Sequence, residues 1–123
     1  MRWRLNTSEA TPLEVARAIV NTLEDKKGED IVLMEIAQIS SFADFFIICN
    51  GTSDRMLDSL ANVVRESAKE QFRLIASIEG QPMDGWLVVD LGDVVVHLFS
   101  PEQREYYGLE ELWERGKVLL RLQ

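Results

Sequence analysis

The sequence predicts one α/β domain, built on a mixed five-stranded sheet flanked by helices. Segments with apolar residues at helical spacing alternate with short β-branched runs. No internal repeat, low-complexity tract or Pro/Gly-rich linker divides the chain. With 123 residues, of which 46% are hydrophobic, the chain is long enough to bury a core without disulfides.

Three helices are predicted from capping residues and apolar spacing. The first begins at Thr11, because Thr11 and Glu14 form the pattern of a capping box. The second follows Ser53, which suits the cap position at the end of a buried strand. The last begins after Ser100, and its recurring apolar residues extend it to Gly116.

Five strands and one domain complete the predicted fold. The strands cover residues 31–36, 44–50, 74–78, 86–91 and 94–99. The last two are joined as a hairpin across Gly92-Asp93. Residues 1–10 are polar around a single Trp, so we expect a flexible leader before a single domain over residues 11–123.

The negative charge is concentrated in the C-terminal third. The chain has 13 basic and 21 acidic residues, a formal net charge of −8. Residues 79–111 hold eight acidic residues and one basic residue, Arg104, a net charge of −7. This charge argues against nonspecific binding of nucleic acid, DNA included. It favours either a solubilising surface or an acidic docking surface for a basic partner.

Side-chain alternation along the predicted hairpin gives one apolar and one mixed face. The apolar face carries Leu87, Val89, Leu91, Val94, Val96 and Leu98, and is expected to be core. The other carries Trp86, Val88, Asp90, Val95, His97 and Phe99. A rigid aromatic residue beside carboxylates is typical of protein-interface hot spots, so this face is either covered by the last helix or binds a partner.

Few residues are suited to catalysis or metal binding. Cys49 is the only cysteine and His97 the only histidine, so a disulfide framework and a four-cysteine zinc site are excluded. We expect both to be structural, with no metal and no cofactor. The longest apolar run, residues 45–49, is too short to span a membrane, and no secretory signal precedes it, so we expect a cytoplasmic protein.

The turn Gly51-Thr52-Ser53 lies between a strand and a helix, as the phosphate-binding turn of nucleotidyltransferases does. That chemistry needs two carboxylates one residue apart to hold a metal ion, and no Asp-x-Asp, Asp-x-Glu or Glu-x-Asp occurs. An ordinary turn capped by Ser53 is favoured. An active nucleotidyltransferase with Asp90 and Asp93 as metal ligands stays open as an alternative.

Longer segments resemble the ribosomal silencing factor family (RsfS, also called Iojap). They are residues 30–33, 40–53, 79–80, 86–97 and 104–113. The stretch over residues 86–97 is long and specific, and the likeness covers roughly residues 11–114.

The resemblance implies a nucleotidyltransferase-like fold without catalytic carboxylates, in a protein that is not an enzyme. It implies binding to ribosomal protein fourteen of the large ribosomal subunit, which blocks association with the small subunit and represses translation when nutrients are limiting. A homodimer is implied when the protein is free, and a dimeric adaptor for another basic partner is a further alternative. The partner-contacting residues that carry over are Trp86, Asp90, Asp93, His97, Glu105, Tyr107 and Glu111.

Overall fold

The structure, a computed structural model, describes residues 10–123 and has a six-stranded sheet at its centre. The described elements, in chain order, are α1 (Pro12–Asp25), β1 (Glu29–Glu35), β2 (Phe45–Asn50), α2 (Asp54–Phe72), β3 (Ser77–Gln81), β4 (Trp86–Asp90), β5 (Val94–Phe99), α3 (Pro101–Tyr107), α4 (Leu109–Leu112) and β6 (Lys117–Leu122). A single 3-10 turn, Pro82–Asp84, separates β3 from β4.

The predicted helix starts are confirmed by their caps. The Thr11 hydroxyl accepts from the Glu14 amide at 3.2 Å, and the Glu14 carboxylate accepts from the Thr11 amide at 3.1 Å, which completes the capping box. Ser53 caps α2 by accepting from the Met56 amide at 3.1 Å. Ser100 caps α3 in the same way.

The sheet has the strand order β3-β4-β5-β2-β1-β6. Only the central β2–β5 pair is parallel, and the other four pairs are antiparallel, so the prediction of a mixed α/β sheet is confirmed. The β4–β5 hairpin is confirmed as well. The third strand was predicted over residues 74–78, but it covers Ser77–Gln81, which moves Glu79 from the predicted loop into the sheet.

Two expectations about the C-terminus were wrong. The last helix does not continue to Gly116, because α3 ends at Tyr107 and Gly108 takes a left-handed φ of 56° that glycine adopts without strain. After the short α4, the chain forms a sixth strand that the five-stranded prediction lacked. β6 pairs with β1 and so satisfies the backbone groups that β1 would otherwise leave open at the edge of the sheet.

The two faces of the sheet are covered differently. We call the face packed by α1 and α2 the helical face, and its core includes Ile19, Leu60 and Val96, each at most 1% exposed. The apolar side of the hairpin lies in this core, as predicted. We call the opposite side the aromatic face, which is partly covered by α3, α4 and Trp113. Its buried residues are Val32, Met34, Ile36, Ala43, Phe46, Ile48, Val95 and Phe99.

The predicted leader over residues 1–10 lies outside the described residues except for Ala10, which packs against the core of the helical face. Within residues 10–123, none of the helices combines the length and hydropathy that a membrane crossing needs.

Candidate functional site

The strand register assembles the mixed face that alternation predicted. On β4 and β5, Trp86 lies opposite Phe99, Val88 opposite His97 and Asp90 opposite Val95. Residues directly opposite one another in an antiparallel pair share a face, so these six form one surface. β3 extends it, because Gln81, Glu79 and Ser77 pair with Trp86, Val88 and Asp90. None of these three strands contains a Lys or Arg residue.

Trp86 lies at one end of this surface, on its middle strand, and is held between two other rings. Its ring stacks on Phe99 with the centroids 4.9 Å apart, and Tyr107 of α3 packs against it at 4.6 Å. Trp86 is only half-buried, and Tyr107 is 49% exposed. The indole is therefore both rigid and accessible, which is the condition of an interface anchor.

His97 lies beneath Trp86 and is only 6% exposed. The indole Nε1–H of Trp86 donates to Nδ1 of His97 at 3.2 Å, which leaves the imidazole proton on Nε2. Burial lowers the pKa of His97 to about 4, against the opposing effect of the Asp90 carboxylate. His97 is therefore neutral at pH 7. At this depth it contacts the rings of Trp86 and Phe46.

The Nε2 atom of His97 is buried and has no hydrogen-bond partner among the described residues. A buried donor without a partner costs about 1–3 kcal/mol. His97 is thus buried within the sheet, as expected of a structural histidine, with one ring nitrogen hydrogen-bonded and the other without a partner among the described residues.

A second aromatic group, which the sequence analysis missed, borders the first. The rings of Phe46 and Trp113 lie 5.3 Å apart, and Phe42 packs against Trp113 at 5.8 Å. Phe46 also contacts His97 at 4.7 Å, which joins the two groups. Phe42 is 61% exposed, so it adds accessible aromatic area to the surface.

The predicted acidic residues take different positions. Asp90 is at the end of β4, where its carboxylate accepts from the Gly92 amide at 2.8 Å. Asp93 lies in the turn, where its carbonyl oxygen accepts from the amides of Asp44 and Phe45. Glu105 and Glu111 are exposed on α3 and α4. Of the predicted site residues, the structure brings Trp86 into contact with both His97 and Tyr107.

Glu79 is an exposed carboxylate on the same surface that the site prediction left out. The strand predicted over residues 74–78 stops one residue short of Glu79, so the prediction did not place this carboxylate in the sheet.

An ion-pair network around the buried Arg104, which the sequence did not predict, attaches α3 to the sheet. Arg104 is 7% exposed, and its Nη1 donates to the Asp30 carbonyl at 2.6 Å and to Asn50 Oδ1 at 2.9 Å. Its Nε donates to Glu110 at 2.7 Å. Arg121 of β6 pairs with Asp30 at 3.2 Å and with Glu110 at 3.5 Å. The network fixes the helix that carries Tyr107.

The geometry is incompatible with the nucleotidyltransferase alternative. The turn after β2 lies at the Trp86 end of β4, because Asn50 pairs with Phe99 and Phe99 with Trp86. Asp90 is at the other end of β4, four strand residues or about 13 Å away. Phosphates at the turn and a metal at Asp90 would therefore be far apart. Among residues 10–123, no three or more His, Cys, Asp and Glu residues are grouped to hold a metal ion.

Cys49 is a core residue, as predicted. It is fully buried on the helical face, and burial raises the pKa of its thiol to about 12. Cys49 and His97 lie on opposite faces of the sheet, so they do not form a thiol–imidazole pair.

Together these features define a mixed α/β domain that exposes a cluster of aromatic side chains on the same sheet face as the carboxylates of Glu79 and Asp90. Residues 9–121 match the family described as "Ribosomal silencing factor during starvation", and the chain belongs to this RsfS family. The family consists of ribosomal silencing regulators and not of enzymes, as the sequence analysis expected.

Individual relatives agree with this assignment. The ribosomal silencing factor RsfS of Halalkalibacterium halodurans is 42% identical over 100 residues, which cover 81% of this chain and 86% of that protein. A crystal structure from Chromobacterium violaceum has a TM-score of 0.81 at 35% identity and covers 85% of this chain and 88% of that chain. The mouse protein "Mitochondrial assembly of ribosomal large subunit protein 1" is 35% identical over 98 residues, and 43% of its length is matched.

Proposed function

We propose that this protein binds the large ribosomal subunit through ribosomal protein fourteen and blocks association with the small subunit, which represses translation under nutrient limitation. Family membership supports a silencing role, and the name of the mouse relative refers to the large subunit. We further propose that it acts in the cytoplasm and is a homodimer when free.

The accessible aromatic and acidic surface is the observation that carries this proposal. Trp86 is held rigidly by Phe99 and Tyr107, so little side-chain entropy is lost when a partner packs on it. Glu79 lies opposite Val88 on the same surface, and Asp90 is at the far end of β4, about 13 Å along the strand from Trp86. Carboxylates attract Arg and Lys side chains and repel phosphate, so this surface favours a basic ribosomal protein over rRNA.

Blocking of subunit association then needs no catalysis. A domain of 14.1 kDa seated on the joining face of the large subunit excludes the small subunit by volume alone. The binding residues are the seven predicted ones together with Glu79 and Phe42. Among them His97 contributes from below the surface.

Sedimentation on a density gradient with purified large subunits tests the proposal. The wild type should co-migrate with large subunits and reduce the joined fraction when small subunits are added. Trp86→Ala should weaken binding by about 2 kcal/mol, roughly thirtyfold in Kd, as truncation of a hot-spot anchor does. Ile75→Ala is the matched control, because Ile75 is 80% exposed and lies outside this surface.

One outcome would overturn the proposed function, and another would overturn the assignment of Trp86 as its anchor. A wild-type protein that stays at the top of the gradient does not bind the large subunit, and recovery of another basic protein from a lysate would then favour the adaptor alternative. Trp86→Ala that binds as tightly as wild type would show that Trp86 is not the anchor.

A further inference from the structure

Among the described residues, the indole N–H of Trp86 makes one hydrogen bond, and its acceptor is His97. Nδ1 of the imidazole accepts from the indole Nε1–H at 3.2 Å. The two residues lie on neighbouring strands, and His97 pairs with Val88, two residues along β4 from Trp86. The bond therefore fixes the rotation of the indole ring, while Phe99 and Tyr107 limit its position from the sides.

The position of His97 is unfavourable for stability alone. The ring is 6% exposed, and its Nε2 atom is buried without a hydrogen-bond partner among residues 10–123. Its neighbours Phe46 and Phe99 are aromatic. A phenyl ring would fill this space and remove the unpartnered Nε2, but it would leave the part-buried indole N–H of Trp86 without its acceptor, so packing alone does not explain a histidine here. The hydrogen bond to Trp86 does.

We propose that His97 is a positioning residue for partner binding, which holds the Trp86 indole in its binding orientation without contacting the partner. This inference rests on the proposed function, because the partner is taken to be the large ribosomal subunit. An indole that is already fixed loses less freedom on binding, so removal of the bond should weaken affinity even when the fold is intact.

Two substitutions separate positioning from stability. His97→Phe keeps an aromatic ring but removes the acceptor, and it also removes the unpartnered Nε2. His97→Asn keeps an acceptor, because its amide oxygen lies as many bonds from Cβ as Nδ1 does, but it leaves part of the ring volume empty. Ile48→Val is the control, because Ile48 is buried beside His97 on the same face and makes no polar contact with Trp86.

We expect affinity and stability to change independently of one another. In urea denaturation, His97→Phe should be about as stable as wild type, because it removes the unpartnered Nε2 but leaves the Trp86 indole N–H without its acceptor, and His97→Asn should be less stable. In binding to purified large subunits, His97→Phe should lose about tenfold in Kd, whereas His97→Asn should stay within about threefold of wild type. Ile48→Val should lose stability and keep wild-type affinity.

The indole proton gives a readout that does not depend on any partner. In ¹H–¹⁵N spectra, the Trp86 indole signal is identified by its loss in Trp86→Phe. Its exchange with solvent should be about tenfold faster in His97→Phe and near wild type in His97→Asn.

The outcomes separate the two proposals. If the wild type does not bind large subunits, the proposed function fails, and the indole exchange alone decides whether His97 holds Trp86. If the wild type binds, and His97→Phe binds equally well or leaves indole exchange unchanged, the positioning role is wrong. Affinity that follows stability across all three variants would overturn it too.

Discussion

Both faces of the sheet carry a buried core, but they differ in how many buried polar atoms are left without a hydrogen-bond partner. On the helical face, α1 and α2 cover an almost wholly apolar core with residues such as Ile19 and Leu60 fully buried. On the aromatic face, two buried side-chain nitrogens, Nε2 of His97 and Nη2 of Arg104, lack a hydrogen-bond partner among the described residues.

The difference shows which face folding alone can explain. Apolar packing accounts for the helical face, because each residue there is favourable for stability. Unpartnered buried polar atoms are unfavourable, so apolar packing alone does not account for the aromatic face. The anchor Trp86 and the exposed carboxylate Glu79 lie on this face as well.

Arg104 should give the largest effect. Arg104→Ala leaves Asp30, Glu110 and Asn50 without their buried cation, and breaking such a network costs about 3–5 kcal/mol. We expect the lower end of this range in urea denaturation, because Asp30 and Glu110 are 33% and 29% exposed. The variant should also bind large subunits more weakly, since α3 carries Tyr107.

Two controls make the comparison between the faces specific. Arg121→Ala removes a cation that is 45% exposed, so the free energy of unfolding should fall by about 1 kcal/mol or less. Leu60→Ala on the helical face should cost about 2–5 kcal/mol of stability. It should leave the affinity of the folded protein unchanged. If Leu60→Ala weakened binding as much as Arg104→Ala does, the functional distinction between the faces would be lost.

The next largest expected effect is the change in the free energy of unfolding with pH. The pKa of His97 is about 4 in the folded protein and near 6.5 when unfolded, so the unfolded chain binds the proton more readily. Well above pH 6.5 the imidazole is neutral in both states and its titration does not affect folding, whereas stability is lost as the pH falls toward 4 because only the unfolded chain takes up the proton. Between about pH 7.5 and about pH 5 the loss should be roughly 2 kcal/mol.

The contribution of His97 can be isolated from that of the carboxylates by difference. Urea denaturation of wild type and His97→Phe at the two pH values gives two changes in the free energy of unfolding. The wild type should lose roughly 2 kcal/mol more than the variant. Equal losses would mean that His97 titrates normally in the folded protein.

The sequence predicted local features well. Thr11, Ser53 and Ser100 cap helices where their residue types and neighbours indicated, since a cap is satisfied within four residues of the chain. The mixed face of the hairpin followed from alternation and a short turn, which together set the register.

Features that depend on distant partners were not predictable in this way. The acceptors of Arg104 on Asp30 and Asn50 are 74 and 54 residues away, so nothing near Arg104 indicates burial. β6 was not predicted because its register against β1 shifts between Leu33 and Met34, and this irregularity disturbs the alternation that marks a strand. The strand forms by pairing with β1, whose outer edge would otherwise be unpaired.

Charge on the aromatic face should have the smallest effect, and it should act on association. The double variant Glu79→Gln and Asp90→Asn removes the carboxylates that β3 and β4 contribute to the aromatic face, and the Asn oxygen still accepts from the Gly92 amide. At low salt its association rate with large subunits should fall about threefold, with the dissociation rate unchanged. At high salt the two proteins should associate equally fast, because counterions screen the attraction.

Glu70→Gln is the matched control for this effect. Glu70 is an exposed carboxylate on α2, the helix that covers the opposite face, so its loss changes the net charge without changing the aromatic face. If Glu70→Gln slowed association as much per charge as the double variant does, the overall charge of −8 would steer binding rather than the local carboxylates. A selective effect of Glu79 and Asp90 would show that the face with the unsatisfied polar atoms also directs the approach of the partner.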